Sequence, residues 1–167
     1  MDVSGSVATV LPARQPLGLF TVRIDENGRL KLPVKIKEFL ERFPEKAFFC
    51  TSLDGRIGQI FPIPVWERYQ EFLDSAEDRP RAKRVKFRAQ VLGAEADLDS
   101  QGRITLNPQL RGELKLQSQQ DLRLVVERGV VQILTQSVYE EMNREGEGDP
   151  VGDVEALEQA GMGKGIR

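Results

Sequence analysis

Apolar and polar residues alternate from Leu19 to Ile24, and the alternation resumes from Leu30 to Leu32. A period of two is typical of a strand with one buried face. Between these segments stands Asn27-Gly28, a dipeptide that favours tight hairpin turns because both central residues of such a turn need a positive φ. The pattern therefore predicts a hairpin at the start of the ordered chain.

The same kind of pattern predicts the elements that follow. A short helix is expected from Pro33 to Phe43, because apolar residues recur there at intervals of three and four. A second hairpin is expected from 47–51 and 57–61, and a second helix opens at Pro64. The apolar side of that helix carries three aromatic residues: Trp66, Tyr69 and Phe72.

This series of elements occurs twice. The segment 24–33 reappears as 98–107, with an offset of 74 residues. The matched pairs are Asp25/Asp99, Gly28/Gly102, Arg29/Arg103, Ile36/Leu110 and Lys37/Arg111. The register continues as far as Trp66, which matches Tyr139 after a deletion of one residue. A shared register of this length predicts two copies of one structural unit.

The repeat divides the chain into five parts. The two copies are expected at 17–73 and 91–142, and residues 1–16 and 143–167 are expected to be flexible, the latter being acidic and rich in glycine. Residues 74–90 form a basic linker that predicts a helix from Arg81 onward. A basic run of this kind is more often a solvated helix face than a direct DNA contact.

The composition excludes several classes of function. The 167 residues include 24 Lys and Arg against 26 Asp and Glu, so the net charge of −2 excludes a globally basic DNA-binding protein but not one basic face. With no His and one Cys, zinc sites and His-dependent nucleophiles are excluded. We therefore predict no catalytic residue, cofactor, metal or small-molecule substrate. Without a membrane-spanning run or signal pattern, a cytoplasmic location is expected.

The turn in each copy contains the motif Asp-x-x-Gly-Arg. A purely structural turn explains Asp25, Asp99, Gly28 and Gly102, but it does not need an arginine at the next position. An arginine in that place in both diverged copies favours a function. A guanidinium held beside a rigid turn suits the recognition of phosphates or guanine edges.

Further cations surround the first turn. Arg23, Arg29 and Lys31 alternate with apolar residues, so they are expected to share the solvent face. In the second copy Asp97 and Thr105 stand where the first has Arg23 and Lys31, so that copy is expected to be the weaker.

Two copies of this motif at this spacing resemble the MraZ family of bacterial transcription regulators, over residues 17–142. The resemblance implies an α+β fold, mostly β, in which two AbrB/SpoVT-like swapped-hairpin units form a pseudo-dimeric barrel with short peripheral helices. It also implies a nucleoid-associated regulator that assembles into rings. Such a ring would bind direct repeats of double-stranded DNA in the promoter of its own division and cell-wall operon. By position, the DNA-binding arginines would be Arg29 and Arg103, with Asp25 and Asp99 as their partners.

A ring needs contacts between subunits. Trp66, Tyr69 and Tyr139 are expected there, because the helices after the last strand of each copy have little sheet left to cover. Two other functions stay open at this point: a ring-forming scaffold that binds another protein, and a metal-dependent enzyme built on carboxylates such as Asp97 and Asp99.

Overall fold

Eight strands and six helices lie in residues 11–165, the part of the chain that the computed structural model describes. The strands are β1 (Phe20–Arg23), β2 (Arg29–Lys31), β3 (Ala47–Thr51), β4 (Gly58–Pro62), β5 (Ala94–Asp97), β6 (Arg103–Thr105), β7 (Asp121–Glu127) and β8 (Val130–Leu134). The helices are α1 (Val34–Glu41), α2 (Ile63–Ser75), α3 (Arg79–Leu92), α4 (Pro108–Glu113), α5 (Gln136–Glu145) and α6 (Pro150–Gln159). None of these helices has both the length and the apolar character needed to cross a bilayer. The predicted α+β class is confirmed.

The two copies have the same order of elements and pair with one another. The larger sheet has the order β1-β7-β8-β4-β3-β5, and the smaller sheet pairs β2 with β6. All neighbouring strands are antiparallel. If the copies are exchanged, the order of the larger sheet reads the same in reverse, so the connectivity has an internal two-fold symmetry.

Strand pairing crosses between the copies where the sequence predicted a local hairpin. β1 pairs with β7 of the second copy, and β5 pairs with β3 of the first. Within each copy, a single bridge joins the strands on either side of the first turn, at Ile24–Leu30 and at Leu98–Ile104. The predicted turn forms, but the predicted strand partner is wrong, because alternation indicates which face is buried and not which strand is adjacent. The six-stranded sheet is open, so the barrel implied by the resemblance is not confirmed.

One apolar core receives side chains from both copies. Leu30 and its counterpart Ile104 are fully buried, as are Ile36 and its counterpart Leu110. Each such side chain contributes about 1.5–3 kcal/mol through burial. Because these residues belong to a single cluster, separating the copies would expose apolar surface on both.

The basic linker forms the helix α3, which begins two residues before the predicted start. The side chain of Asp78 caps its N-terminus by accepting a hydrogen bond from the Arg81 amide at 3.2 Å. Ala82, Ala89 and Leu92 are buried on its inner side. The helix therefore packs on the core with small residues and keeps its charged residues outside.

Part of the expected N-terminal flexible segment packs on the fold. Leu11 lies against the core, and the Gln15 side chain accepts a hydrogen bond from the Gly129 amide at 2.8 Å. Residues 1–10, which belong to the same prediction, lie outside the described residues.

The expectation of an unstructured C-terminal segment is wrong for 150–159, where α6 forms. The Asp149 side chain accepts a hydrogen bond from the Gly152 amide at 3.2 Å, and Pro150 occupies the first turn. Both are common helix-start features. No side chain of α6 is buried, so local signals and not core packing define this helix.

The expected subunit contact Trp66 is buried inside its own chain. Its side chain is 6% exposed, and its ring centroid lies 4.7 Å from that of Phe49 and 5.0 Å from that of Phe61. Tyr69 is half-buried against Phe61, and Tyr139 is half-buried beneath a guanidinium. Burial removes Trp66 from the surface that a neighbouring subunit could contact.

Trp66→Ala is expected to lower the free energy of unfolding by about 3–5 kcal/mol, because it opens a cavity in the core. Phe72→Ala on the same helix is the matched control, since Phe72 is 53% exposed, and it should change stability by less than about 0.5 kcal/mol. Urea denaturation measures both. Equal, small effects would contradict the burial of Trp66.

Candidate nucleic-acid interface

The carboxylate of Asp25 closes the first turn and holds its arginine. Oδ1 accepts hydrogen bonds from the backbone amides of Asn27 at 2.8 Å and Arg29 at 2.9 Å. Oδ2 accepts a hydrogen bond from Nε of Arg29 at 2.8 Å. The Gly28 amide donates to the Asp25 carbonyl at 3.1 Å. One side chain therefore fixes both the backbone of the turn and the direction of the guanidinium.

The second turn repeats this network. Oδ1 of Asp99 accepts from the amides of Gln101 and Arg103, both at 2.9 Å, and Oδ2 accepts from Nε of Arg103 at 2.8 Å. The same three bonds in two diverged copies place both arginines in the same way relative to their turns.

These hydrogen bonds lower the pKa values of both carboxyl groups. For Asp25 the largest cause is the backbone amide of Arg29, and the Arg29 side chain adds to it. For Asp99 the corresponding groups are the amide and side chain of Arg103. Each donor stabilises the ionised carboxylate, so the Asp–Arg pairs are charged at neutral pH.

The glycine of each turn is required for two reasons. Gly28 and Gly102 have φ values of 78° and 76°, a region that other residues rarely adopt. A Cβ atom on Gly28 would also lie 2.7 Å from the Arg111 guanidinium, and one on Gly102 would lie 2.9 Å from Cδ of Lys37. Thus Lys37 and Arg111 each cover the turn of the other copy. From the sequence, Lys37 is one of five cations within fifteen residues around the first turn, not the second, and Arg111 is not assigned to the site, although their matched positions were a usable signal.

The pairing of β2 with β6 brings the two turns together. Lys31 lies opposite Arg103, and Arg29 lies opposite Thr105. The turn glycines continue the ladder, because the carbonyl of Gly102 accepts from the Leu32 amide and that of Gly28 from the Leu106 amide, both at 2.9 Å. We call the outward-facing residues of these two strands the basic ribbon: Arg29, Lys31, Arg103 and Thr105.

The basic ribbon places like charges next to one another. Leu30 and Ile104 point into the core, so the alternate residues face outward. Directly opposed residues of an antiparallel pair are about 4.5–5.5 Å apart, so Lys31 repels the guanidinium of Arg103, and the Asp99 carboxylate paired with that guanidinium reduces the repulsion. The Nη atoms of both arginines form no hydrogen bond with the residues at 11–165. The ribbon therefore offers oriented, unshared donors to an anion.

Arg23 does not belong to the basic ribbon. It lies in β1, in the larger sheet, and its Nε is paired with Oδ1 of Asp121 at 3.0 Å. The expectation that the second copy is the weaker is also undermined, because Lys31 faces Arg103 across the ribbon. Because strands of the two copies pair, cations of one copy lie beside the turn arginine of the other.

The residues considered for catalysis are held in other ways. Asp99 accepts hydrogen bonds from three N–H donors, two on Oδ1 and one on Oδ2, so most of its acceptor capacity serves the turn. Within residues 11–165, no group of three or more His, Cys, Asp or Glu side chains is placed to hold a metal ion. Cys50 is fully buried, and burial raises the pKa of its thiol to about 12, which opposes formation of a thiolate.

Asp25→Asn tests the carboxylate of the turn. The amide oxygen can still accept the backbone bonds, but the side chain loses its charge and its pairing with Arg29. Because the folded-state pKa of Asp25 is lowered below its ordinary 3.8, its stabilising contribution is present above that pH and is lost as the pH falls through the folded-state value.

The urea midpoint of the wild type should therefore fall more steeply below about pH 3.8 than that of the variant. Glu26→Gln, which makes the same charge change at an exposed neighbour, should retain the wild-type slope. Identical slopes for wild type and Asp25→Asn would contradict the assigned role of the carboxylate.

Three relatives among the curated proteins are named transcriptional regulator MraZ. The one from Acidobacterium capsulatum is 35% identical over 95 residues, which are 56% of this chain and 65% of that protein. The one from Koribacter versatilis is 28% identical over 135 residues, or 80% of this chain and 88% of that protein. The one from Parafrankia sp. is 38% identical over 96 residues, or 57% and 64%.

The chain spans slightly less than two thirds of the Acidobacterium and Parafrankia proteins and most of the Koribacter protein. No family model matches it. The doubled turn, its register and these similarities agree with one another and support an assignment of the chain to the MraZ family.

Proposed function

We propose that the protein is a DNA-binding regulator of transcription and that the basic ribbon is its DNA contact. The relatives named above are transcriptional regulators by name. The observation that carries the proposal is the pairing of β2 with β6, which puts the exposed Lys31 and the half-buried Arg29 and Arg103 on one outward face. The proposed function includes no cofactor and no catalytic step, and its setting is the nucleoid in the cytoplasm.

The electrostatics of the basic ribbon favour a polyanion. A phosphate near Lys31 and Arg103 would screen their mutual repulsion, so binding would relieve a cost that the free protein bears. The net charge of the chain is only −2, so the rest of the protein supplies little attraction. Local counterion release at the ribbon would then dominate, and affinity would fall with added salt.

The shape of the basic ribbon suits the major groove, which is about 12 Å wide and admits two antiparallel strands. Asp25 and Asp99 hold the Nε atoms of the two arginines. The two Nη atoms of each guanidinium stay available for an end-on, bidentate contact with O6 and N7 of guanine, the commonest specific arginine contact.

We further propose that the protein acts as a ring on direct repeats in the promoter of its own operon, which contains division and cell-wall genes. One chain supplies one small ribbon, and a single contact of that size binds weakly. Linked ribbons on repeated sites would gain avidity through their effective concentration.

Arg29→Ala and Arg103→Ala should each weaken binding to DNA from the protein's own upstream region by about 1–3 kcal/mol, with similar size because both arginines lie on one ribbon. Fluorescence anisotropy measures the affinity over about 50–200 mM salt. Each lost phosphate contact should reduce the slope of log affinity against log salt concentration by about 0.9. Arg42→Ala is the matched control, because Arg42 is exposed at the end of α1 and not in the ribbon.

Arg29→Lys separates the two kinds of contact, because it keeps the charge and loses the bidentate fork. It should bind unrelated DNA like the wild type and lose preference for the promoter. Unchanged affinity in both alanine variants would contradict the role of the ribbon. If the protein assembles into an oligomer that binds no DNA, the second candidate function, a protein-interaction scaffold, is favoured. The exposed apolar residues Phe87 and Val91 on α3 are the observation that supports this second candidate.

A further inference from the structure

The C-terminal helix α6 has an apolar stripe that none of the residues at 11–165 covers. Val151, Val154 and Leu157 recur at intervals of three, so they share one side of the helix. They are 70%, 46% and 55% exposed. Asp153 and Glu155 lie on either side of this stripe, and Glu158 stands within it, one turn after Val154. The helix is thus acidic, and its three large apolar side chains are exposed to solvent.

The helix α3 has a stripe with the opposite charge. Phe87 and Val91, one turn apart, are 71% and 53% exposed although they are large and apolar. They line a shallow groove of about 400 Å³ whose lining also includes Arg84, Arg88 and one acidic residue, Glu113. Lys83 lies one turn before Phe87 on the same side. This face is apolar in the middle, and basic side chains outnumber the acidic one at its edges.

We infer that α6 of one chain docks on this face of α3 in a second copy of the chain. The two surfaces match in chemistry, since each has an apolar stripe and the flanking charges are of opposite sign. Docking would bury side chains such as Phe87 and Leu157, which are exposed in the single chain. Apolar burial would supply most of the free energy, and the charges would set partner and orientation.

A second copy is a better occupant than the same chain. Only residues 146–149 connect α5 to α6, and four residues span at most about 14 Å. α5 contacts β7 and β8, whereas α3 contacts β3 and α2. These elements belong to opposite halves of the larger sheet. Both stripes are exposed in the same folded chain, which leaves each available to another molecule.

DNA is a poorer occupant of the α3 face than α6 is. Phosphates would contact its basic edges but would leave Phe87 and Val91 without an apolar partner. Two of its other cations are already paired within the chain, Lys86 with Asp74 and Arg81 with Asp78.

Because α6 and α3 are different surfaces, the contact is head-to-tail when a chain gives its α6 to one neighbour and receives the α6 of another on its α3. Heterologous contacts of this kind close into rings when the rotation allows. This inference rests on the proposed ring. It assigns the contact between neighbouring subunits to α6 and α3, and not to Trp66, which is buried.

Disulfide cross-linking tests the contact. Full-length Val91→Cys and Leu157→Cys proteins are mixed and oxidised, and a mixed dimer is expected on a non-reducing gel. The native Cys50 can stay, because it is fully buried. Val34→Cys replaces Val91→Cys as the control, since Val34 is 67% exposed on α1, and it should give no mixed dimer above background.

The double variant Val91→Cys/Leu157→Cys distinguishes the two possible occupants. A ladder of linked chains is expected. A monomer of altered mobility, with no ladder, would show that α6 folds back on its own α3 and would overturn the inference.

Sedimentation velocity separates this inference from the proposed function. A chain ending at Glu147 loses no side chain that is buried at 148–165, the described part of the removed segment, so it should stay folded and lose the higher-mass species of the full chain. A monomeric full-length protein would contradict both the proposed ring and this contact. An oligomer that is unchanged by truncation would overturn the contact alone. The contact would also be overturned if Phe87→Glu weakens DNA binding and leaves the oligomer unchanged, because α3 would then contact DNA.

Discussion

The antiparallel pairing of β2 with β6 is the interaction on which the rest of the structure depends. It joins the two copies at their shortest strands and buries Leu30 beside Ile104. It also extends into the turns, where each glycine carbonyl accepts an amide from the other copy. Without this pairing the two Asp-x-x-Gly-Arg turns would be separate features 74 residues apart. With it they form one surface.

The second constraint is the double use of one carboxylate. In each turn the aspartate satisfies two backbone amides and still holds the Nε atom of the arginine. The orientation of the guanidinium is therefore set when the chain folds, so less side-chain entropy would be lost on binding. Asp99 compensates the charge of Arg103, whereas Lys31, which lies opposite Arg103, adds a positive charge to the basic ribbon.

Much of this fold could be predicted from sequence because its signals are local. The turns at Gly28 and Gly102, the hairpin between β3 and β4 and the helix α3 follow from turn chemistry and periodicity. The pairing of β1 with β7 does not, because alternation is the same for any partner strand. The burial of Trp66 was missed for a similar reason, since an aromatic stripe has the same spacing in a core as in an interface.

The site shows the same division. The motif identified Arg29, Arg103 and their aspartates, whereas Lys37 and Arg111 reach the site only because the copies are interleaved. Arg23 was assigned to the site by alternation, but its cross-strand partner is Asp121. At α6 the start signals at Asp149 and Pro150 were present, but the many glycines and acids around them favoured an unstructured segment.

The central claim is that DNA lies on the basic ribbon, and site-specific photocross-linking tests it most directly. A photoreactive benzoyl-phenylalanine replaces Thr105, which is exposed opposite Arg29, or Phe87 on the basic helix α3. We expect promoter DNA to be captured from position 105 and not from position 87. Capture from position 87 alone would contradict it and would place the DNA on α3.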